Sequence, residues 1–407
     1  MELTEKLEKL MEYPICDHCL GRQFGQLLHG YTNKERGKIL RAVAAMILDT
    51  GEKELKMYNF PDFKFHHQEL SQNTEKSDTQ EKCSVCDDIF DNLSIWIDKI
   101  KKIDLEYKTF LIGTKLSFDL IRKEENTWDR VGIDWCEPLK AEINREVGKL
   151  VEKTTGKKFE LKNPDINFIL DMKNNKLEVI INPLFIYGEY QKLKRGIPQT
   201  KWPENRDGIK LYKTSVEEII AKPIMKFTKG KGHKFHGLGR EDIDARCFGW
   251  RPFVLEILEP KKRLINLKNV KIPKSVHVRN MRFSDTNEVT RIKEKRSEKT
   301  YEAEVILDKP IEKKDLEKLK LLIGEIYQRT PNRVLHRRGD LKRKRKLISL
   351  KTIFINSKKF RFIVRGEAGL YIKELINGDN GRTRPSVSEI LNRKAICKNL
   401  DVVGIHV

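Results

Sequence analysis

Residues 237–257 read GLGREDIDARCFGWRPFVLEI, a crowded charged turn that runs into an apolar segment. Gly237 and Gly239 permit a tight backbone at its start. Glu241, Asp242 and Asp244 then lie between two guanidiniums, Arg240 and Arg246. An arginine within reach lowers a carboxylate's pKa and keeps it ionised. A carboxylate so held can serve as a nucleophile or a general base. A surface ion-pair network or a Mg²⁺ site would use the same residues. The closing FVLEIL has the composition of a β-strand.

The charge around this stretch is uneven. Residues 1–210 carry 35 Lys and Arg against 36 Asp and Glu, a net of −1, whereas residues 211–407 carry 47 against 24, a net of +23. A basic half of this kind points to a polyanion. RNA, DNA and an anionic membrane surface all qualify. No basic amphipathic helix stands at a terminus, which favours nucleic acid. A solvated basic surface is the plain alternative. Hydrophobic residues make up 38% of the 407, and no apolar run reaches the roughly 18 residues that a bilayer requires. The opening MELTEKLEKL carries charge where a signal peptide is apolar, so a soluble cytoplasmic protein is expected.

Seven cysteines include two pairs, Cys16-x-x-Cys19 and Cys83-x-x-Cys86. Four thiolates in two such pairs are the tetrahedral complement for structural Zn²⁺. A closed four-cysteine shell leaves no position for a reactive water, so the metal would staple two helical segments. His18, inside the first pair, is not counted as a ligand. Cys136, Cys247 and Cys397 read as small buried apolar residues.

The rest of the chain reads as α+β. Residues 1–12 are helical, and KERGKILRAVAAMILDT (34–50) forms an amphipathic helix with Ile39, Val43, Met46 and Ile47 on one apolar face. SQNTEKSDTQ (71–80) is an exposed loop. KTFLIGTKLSFDLI, from Lys108, reads as a strand, and residues 136–155 as a helix starting at Glu137-Pro138. PDINFILDMKNNKLEVIINPLFIYGEYQK supplies strands joined by a tight turn at Lys173–Lys176. Its basic exit (Lys192, Lys194, Arg195) suggests an α/β RNA-binding module. IPQTKWPENRDGI then reads as a linker, with the main domain boundary at 210. Beyond it Ser215 and Glu218 form a capping box, and IEKKDLEKLKLLIGEIY a helix. VTRIKEK, TYEAEVIL and KTIFINSKKFRFIVRGEAGLYIKEL read as strands. The expected divisions are a zinc-binding helical region (1–103), an RNA-binding module (104–210) and the basic domain (211–407). No Walker loop and no GxGxxG after a strand is present.

Gly239-Arg240-Glu241-Asp242 resembles the Gly-Arg-x-Asp stretch that carries the catalytic aspartate of pseudouridine synthases. REDIDARCFGWRPFVLE is similar to the signature of the archaeal and eukaryotic tRNA pseudouridine-54/55 synthases. Lys299-Thr300-Tyr301-Glu302-Ala303 resembles their Lys-x-Tyr-x-Ala strand. Gly369-Leu370-Tyr371-Ile372-Lys373-Glu374-Leu375 resembles their Gly-x-Tyr-Ile-(Arg/Lys)-x-Leu stretch, with Lys373 where many relatives carry Arg and Leu370 where Thr is common. The resemblance implies that Asp242 is the catalytic residue and Asp244 a second acid. It implies that Tyr301 packs on the uracil ring and is the proton-transfer candidate. Lys373 would pair with Asp242, with Arg240 as a further cation, Tyr371 would hold the target nucleotide and Leu375 would line the pocket.

The implied reaction isomerises uridine to pseudouridine in the tRNA T-loop, at positions 54 and 55, without a catalytic cofactor. tRNA is the implied partner; neither a membrane nor an obligate protein partner is expected. QRTPNRVLHRR (328–338) with the following GDLKRKRKL resembles RNA-contact surface, and NGDNGRTRPSV (377–387) a loop beside the active site. IYGEYQKLKRGIPQTKW (186–202) resembles the end of a THUMP domain, which would occupy 104–210 ahead of a catalytic domain built on a mixed, largely antiparallel sheet. A non-catalytic zinc-containing RNA-binding protein shares the charge asymmetry and the cysteines, but not the three catalytic-type segments in order. A THUMP-containing methyltransferase or thiolase would need a Gly-rich adenosyl or nucleotide loop that the chain lacks.

Elemental analysis of the purified chain is expected to find zinc, and a Cys83→Ser/Cys86→Ser variant to lose it. A zinc-free wild-type protein, or zinc retained by the double variant, overturns the assignment.

Overall fold

The computed structural model describes residues 2–51, 55, 59–60, 63–66, 81–203 and 208–406, so the stretch 71–80 lies outside the described residues. The chain divides into two compact units, Met1–Asn182 and Pro183–Val407. Among the described residues no helix is long and apolar enough to cross a membrane.

The first unit contains helices α1 (Leu3–Leu10), α2 (Asp17–Arg22), α3 (Asn33–Asp49), α4 (Ser94–Lys101), α5 (Phe118–Val131) and α6 (Leu139–Thr155). Its four-stranded sheet runs β2 (Lys158–Phe159), β1 (Thr109–Lys115), β3 (Ile166–Asp171), β4 (Lys176–Ile181). β1 is parallel to β2 and β3, and β3 turns back into β4 as an antiparallel hairpin. Asn175 takes a φ of +48° in that turn, a conformation asparagine tolerates better than most residues. Leu139, Ile143, Val147 and Val151 recur at helical spacing along α6 and share one core with Phe110, Ile112, Phe168 and Leu170 of the sheet.

Two expectations change here. FDLI, read as strand, opens α5, because the Ser117 hydroxyl accepts a hydrogen bond from the Leu120 N–H and caps a helix instead. In α3 the anticipated apolar face is exposed, Met46 by 68%, Ile39 by 44% and Val43 by 40%, whereas Gly37, Ala44, Ala45 and Leu48 are buried. Close helix packing decides this: a Cβ on Gly37 would fall 1.9 Å from the Asp17 carbonyl oxygen, and one on Gly21 1.8 Å from that of Asn33. α2 and α3 touch backbone to backbone, so the small residues take the buried side.

The second unit holds 53 Lys and Arg against 27 Asp and Glu, a net of +26. Among the described residues its ten strands are β5 (Leu184–Lys192), β6 (Gly232–Gly237), β7 (Arg246–Leu258), β8 (Val276–Ser284), β9 (Glu298–Leu307), β10 (Gly324–Arg329), β11 (Lys342–Asn356), β12 (Lys359–Gly366), β13 (Thr383–Arg384) and β14 (Ala395–His406). They form one sheet in the order β13-β10-β11-β12-β9-β14-β7-β5-β8, with β6 also on β7. The sheet is mixed and largely antiparallel, as anticipated; β14 and β7 are the parallel pair, with Asp401 opposite Arg246 and Val402 opposite Cys247. Helix α7 (Val216–Thr228) covers the β5–β7 half through Ile220 and Ile224. Helices α9 (Ile372–Asn377) and α10 (Val387–Leu391) pack with Val305, Phe360, Phe362 and Val364 of the other half. Of the capping box expected at Ser215–Glu218 the serine half forms, with the Glu218 N–H donating to the Ser215 hydroxyl at 3.1 Å, while the Glu218 carboxylate accepts from that hydroxyl at 2.9 Å and not from the Ser215 N–H.

The boundary placed near 210 lies inside this unit. Leu184, Ile186, Gly188, Tyr190 and Lys192 are buried on alternate positions of β5, which is paired on both sides, by β7 and β8. A strand with two neighbours belongs to its sheet, whatever the charge balance downstream. VTRIKEK, expected as strand, lies in α8 (Thr286–Glu294), capped by the Asp285 carboxylate accepting from the Glu288 N–H. The long helix expected over 311–327 is a 3₁₀ segment, Lys313–Leu322, followed by β10. YIKEL is helical rather than extended and supplies α9.

Candidate active site

β7 is thirteen residues long and is flanked on one edge by two partners. β14 pairs at Arg246 and Cys247, and β6 at Phe253–Leu258. The 238–245 turn leaves β6 and returns to the start of β7, so the stretch singled out in the sequence lies where the two halves of the sheet join. Gly239 takes a φ of +69°, a conformation open to glycine at little cost.

Buried charge fixes this turn. Glu241 and Arg251 have fully buried side chains 3.1 Å apart, an ion contact off the hydrogen-bonding angle at Arg251 Nε. Arg251 donates to the Leu238 carbonyl at 2.7 Å. The Tyr190 hydroxyl donates to Glu241 at 2.9 Å, and the Gln199 amide donates to Tyr190 and to the Gly239 carbonyl, both at 2.9 Å. Lys192 donates to the carbonyls of Ile197 (2.9 Å), Asp242 (3.0 Å) and Ile243 (3.3 Å). Burial pulls the Lys192 ammonium below its ordinary pKa, against the opposing field of Glu241. Residues expected to exit toward RNA and to form a linker, Lys192 and Gln199, therefore hold the turn from beneath. Arg195 does the same from the side, donating to the Asp244 carbonyl and to Asp401.

Above this network lies a cavity of about 750 Å³. Arg240, Asp242, Tyr301, Tyr371 and Lys373, all anticipated, line it, together with Lys299, Arg333, Arg338 and Leu370. Leu375 does not: it is fully buried in the core beneath α9, and Leu370 lines the cavity together with Leu238, Ile292 and Val334.

Asp242 Oδ2 lies 3.3 Å from Lys373 Nζ and 3.5 Å from an Arg333 nitrogen. Arg240 forms no ion pair among the described residues, so Arg333 takes the place expected of it. Arg333 is also tied to the buried Glu374 at 2.8 Å. Its sequence signal was present, but in QRTPNRVLHRR, which read as RNA surface. Lys373 lies closer to Asp244, at 2.8 and 2.9 Å. Burial opposes ionisation of Asp244 and Lys373, but their mutual pairing wins, holding the carboxyl below and the ammonium above the ordinary values. Burial pushes the Tyr301 phenol up to about 12. Tyr371 is held by buried Gln328, which accepts from its N–H and donates to its carbonyl, each at 2.9 Å, while Arg338 donates to its hydroxyl at 2.9 Å. The 377–387 loop does not line this cavity. It braces the segment that does: Arg382 donates to the Thr330 carbonyl, and Asp379 accepts from the Asn332 N–H.

In the first unit the thiols of Cys16, Cys19, Cys83 and Cys86 all lie within 4.8 Å of one another, and none is in a disulfide. Zn–S bonds of about 2.3 Å in a tetrahedron place sulfurs roughly 3.8 Å apart, so the set fits such an ion. His18 is turned away, bonded to Glu142 at 2.8 Å and stacked on Phe90.

Residues 185–406 match the family described as Pus10, C-terminal, and residues 96–171 match the Pus10 THUMP domain, archaeal. The THUMP match ends before the 186–202 stretch that resembled a THUMP terminus; that stretch falls in the C-terminal match. The chain is 40% identical to the tRNA pseudouridine synthase Pus10 of Pyrococcus furiosus, over 100% of this chain and 98% of that relative. It is 40% identical to that of Methanocaldococcus jannaschii, over 98% and 93% respectively. A solved Cbf5-Nop10-Gar1 complex is similar more distantly, at 18% identity over 53% of this chain and 47% of that one, with a TM-score of 0.31.

Removing one member of a buried ion pair strands the other, at a cost of about 3–5 kcal/mol. Glu241→Ala is therefore expected to destabilise the second unit by that amount in denaturant unfolding. Asp244→Asn, which removes an exposed pair, should cost less than about 1 kcal/mol.

Proposed function

The chain belongs to the Pus10 family of tRNA pseudouridine synthases, and from that premise we propose that it isomerises uridines 54 and 55 of the tRNA T-loop without a catalytic cofactor. The observation that carries this reading is the convergence of Asp242, Lys373, Arg333 and Tyr301 on one cavity. Pseudouridine formation breaks the N1–C1′ bond, turns the base and rejoins it through C5. No external group enters or leaves, so the chemistry calls for no cofactor.

The target uridine is flipped out of the RNA at an unstacking cost of a few kcal/mol. Its base stacks on Tyr301, with Leu370 and Tyr371 against the nucleotide. Asp242, oriented by the Lys373 and Arg333 cations, acts on the ribose as nucleophile or as base. After C5 joins C1′, the C5 proton must leave. Burial keeps Tyr301 as a phenol, so it handles that proton by orienting a water or relaying through its hydroxyl, not as a standing phenolate.

The basic second unit and the THUMP domain both serve tRNA binding. In the first unit Cys16, Cys19, Cys83 and Cys86 would hold a structural Zn²⁺, which supplies no chemistry and ties the α2 region to the 83–86 segment. A soluble enzyme acting on tRNA in the cytoplasm fits this reading.

Release of tritium from tRNA labelled at C5 of uridine, with no cofactor added, tests the reaction, and mapping the product tests the two positions. Asp242→Asn should bring release to background, and Tyr301→Phe should slow it roughly 10²–10⁴-fold. Normal turnover by Asp242→Asn overturns the assignment of that residue.

A further inference from the structure

The floor of the same cavity holds a cation that the steps above leave unassigned. Lys299 lies on β9 two positions before Tyr301, hence on the same face of the strand. It lines the cavity yet is only 8% exposed. Its ammonium donates to the carbonyl and the hydroxyl of Ser297, at 3.1 and 3.0 Å. Both acceptors are neutral. Among the described residues no carboxylate forms an ion pair with it. The nearby Arg251 is a second cation, whose charge is already answered by Glu241. The position a Cβ would take on Gly239 is 3.6 Å from Lys299 Nζ, so the ammonium abuts the turn that carries Asp242.

A buried ammonium without a counter-ion costs several kcal/mol. It has one N–H left after Ser297, and the cavity is where an acceptor can enter. We propose that Lys299 donates this N–H to a carbonyl oxygen of the target uracil and stabilises the negative charge the base acquires during isomerisation. When the N1–C1′ bond breaks, its electron pair stays with the uracil and spreads over N1 and the two carbonyl oxygens. When C5–C1′ forms, that charge is consumed; the C5 proton then leaves, returning negative charge to the ring, and a proton taken up at N1 gives the neutral base. Lys299 gains and loses no proton in the cycle; it acts as a fixed positive charge, worth most in a site that excludes water. The proposal rests on the isomerase reading and assigns it a further catalytic residue.

Burial, reinforced by Arg251, lowers the Lys299 ammonium to about 8. It is charged below that pH and neutral above it, so turnover should fall as pH rises through about 8. Three titratable neighbours are moved away from this range: burial pushes Cys247 on β7 up to about 11 and Tyr301 up to about 12, and Lys373 is held above its ordinary value by its pairing with Asp244. Glu241, Asp242 and Glu294 are carboxylates, and Arg240, Arg251, Arg296 and Arg333 are arginines. Lys293 and Lys295 line the outer wall of the cavity.

The test is single-turnover tritium release with enzyme in excess, alongside tRNA binding, for wild type, Lys299→Met and Lys299→Arg across pH 6–10. No release by wild type would sink the isomerase reading and this proposal with it. Given an active wild type, Lys299→Met should slow release at least about 100-fold with tRNA affinity within about threefold, the scale of losing one charge-stabilising donor. Lys299→Arg should retain most of the rate and lose the alkaline fall. A Lys299→Met rate within about threefold of wild type overturns the proposal alone. So does lost affinity with an unchanged saturating rate, which would mark a phosphate contact. If Lys299→Met fails to fold, Lys299→Arg decides: an alkaline fall identical to wild type overturns the assignment.

Discussion

The second unit is organised around the ion pair of Glu241 and Arg251, both side chains withdrawn from water. Two unlike charges in the interior are stable only when their remaining hydrogen-bonding capacity is met. Here much of it is met by the backbone of the turn itself, through the Leu238 carbonyl, and by Tyr190, while Arg251 Nε faces Glu241 as an ion contact alone. The same cluster reaches Gly239 through Gln199, and Asp242 and Ile243 through Lys192. The carbonyls of a tight turn, which no strand pairs, thereby become the ligands of buried cations. The pair consequently fixes where the next residue, Asp242, can stand, and it does so from beneath, leaving the carboxylate itself 34% exposed to the cavity.

That arrangement sets charge in two layers. The lower layer is closed, with Glu241 answered by Arg251. The upper layer is open, with Lys373 and Arg333 shared between Asp242, Asp244 and Glu374. Arg333 does not depend on Asp242 alone, since Glu374 holds it from the other side; Lys373 is similarly held by Asp244. Each cation therefore keeps a carboxylate partner when Asp242 turns toward a substrate. The cavity stays positive on balance, within a unit carrying a net of +26, which suits a polyanion approaching from solvent.

The first unit repeats the device at its cysteine cluster. Arg22, fully buried in α2 three residues after Cys19, pairs with Glu124, and His18 with Glu142. These contacts orient the helix carrying the first CxxC, and the Gly21–Gly37 approach of α2 to α3 leaves its backbone little freedom. The four thiols are brought together by ordinary helix packing and by the Ser84 N–H donating to the Pro14 carbonyl, which joins the two CxxC segments.

Local pattern settled what depends on near neighbours. The two CxxC pairs, the Ser215 cap and the 173–176 turn are short-range features, and they form where the residues stand. The charged turn at 237–246 and its three acids were equally plain, and the ordered segments around Tyr301 and Tyr371 were enough to gather most of the cavity. What sequence could not show is which partner each charge takes, because partners lie many residues apart. Arg333 replaced Arg240 beside Asp242 because the 377–387 loop braces its segment over the site. Leu375 gave way to Leu370 because YIKEL turns into a helix and buries its last side chain. Lys192 and Gln199 read as exposed exit and linker, but strand pairing of β5 with β7 draws them under the turn. Pairing across a sheet depends on what lies opposite a strand, and that is decided by the tertiary fold.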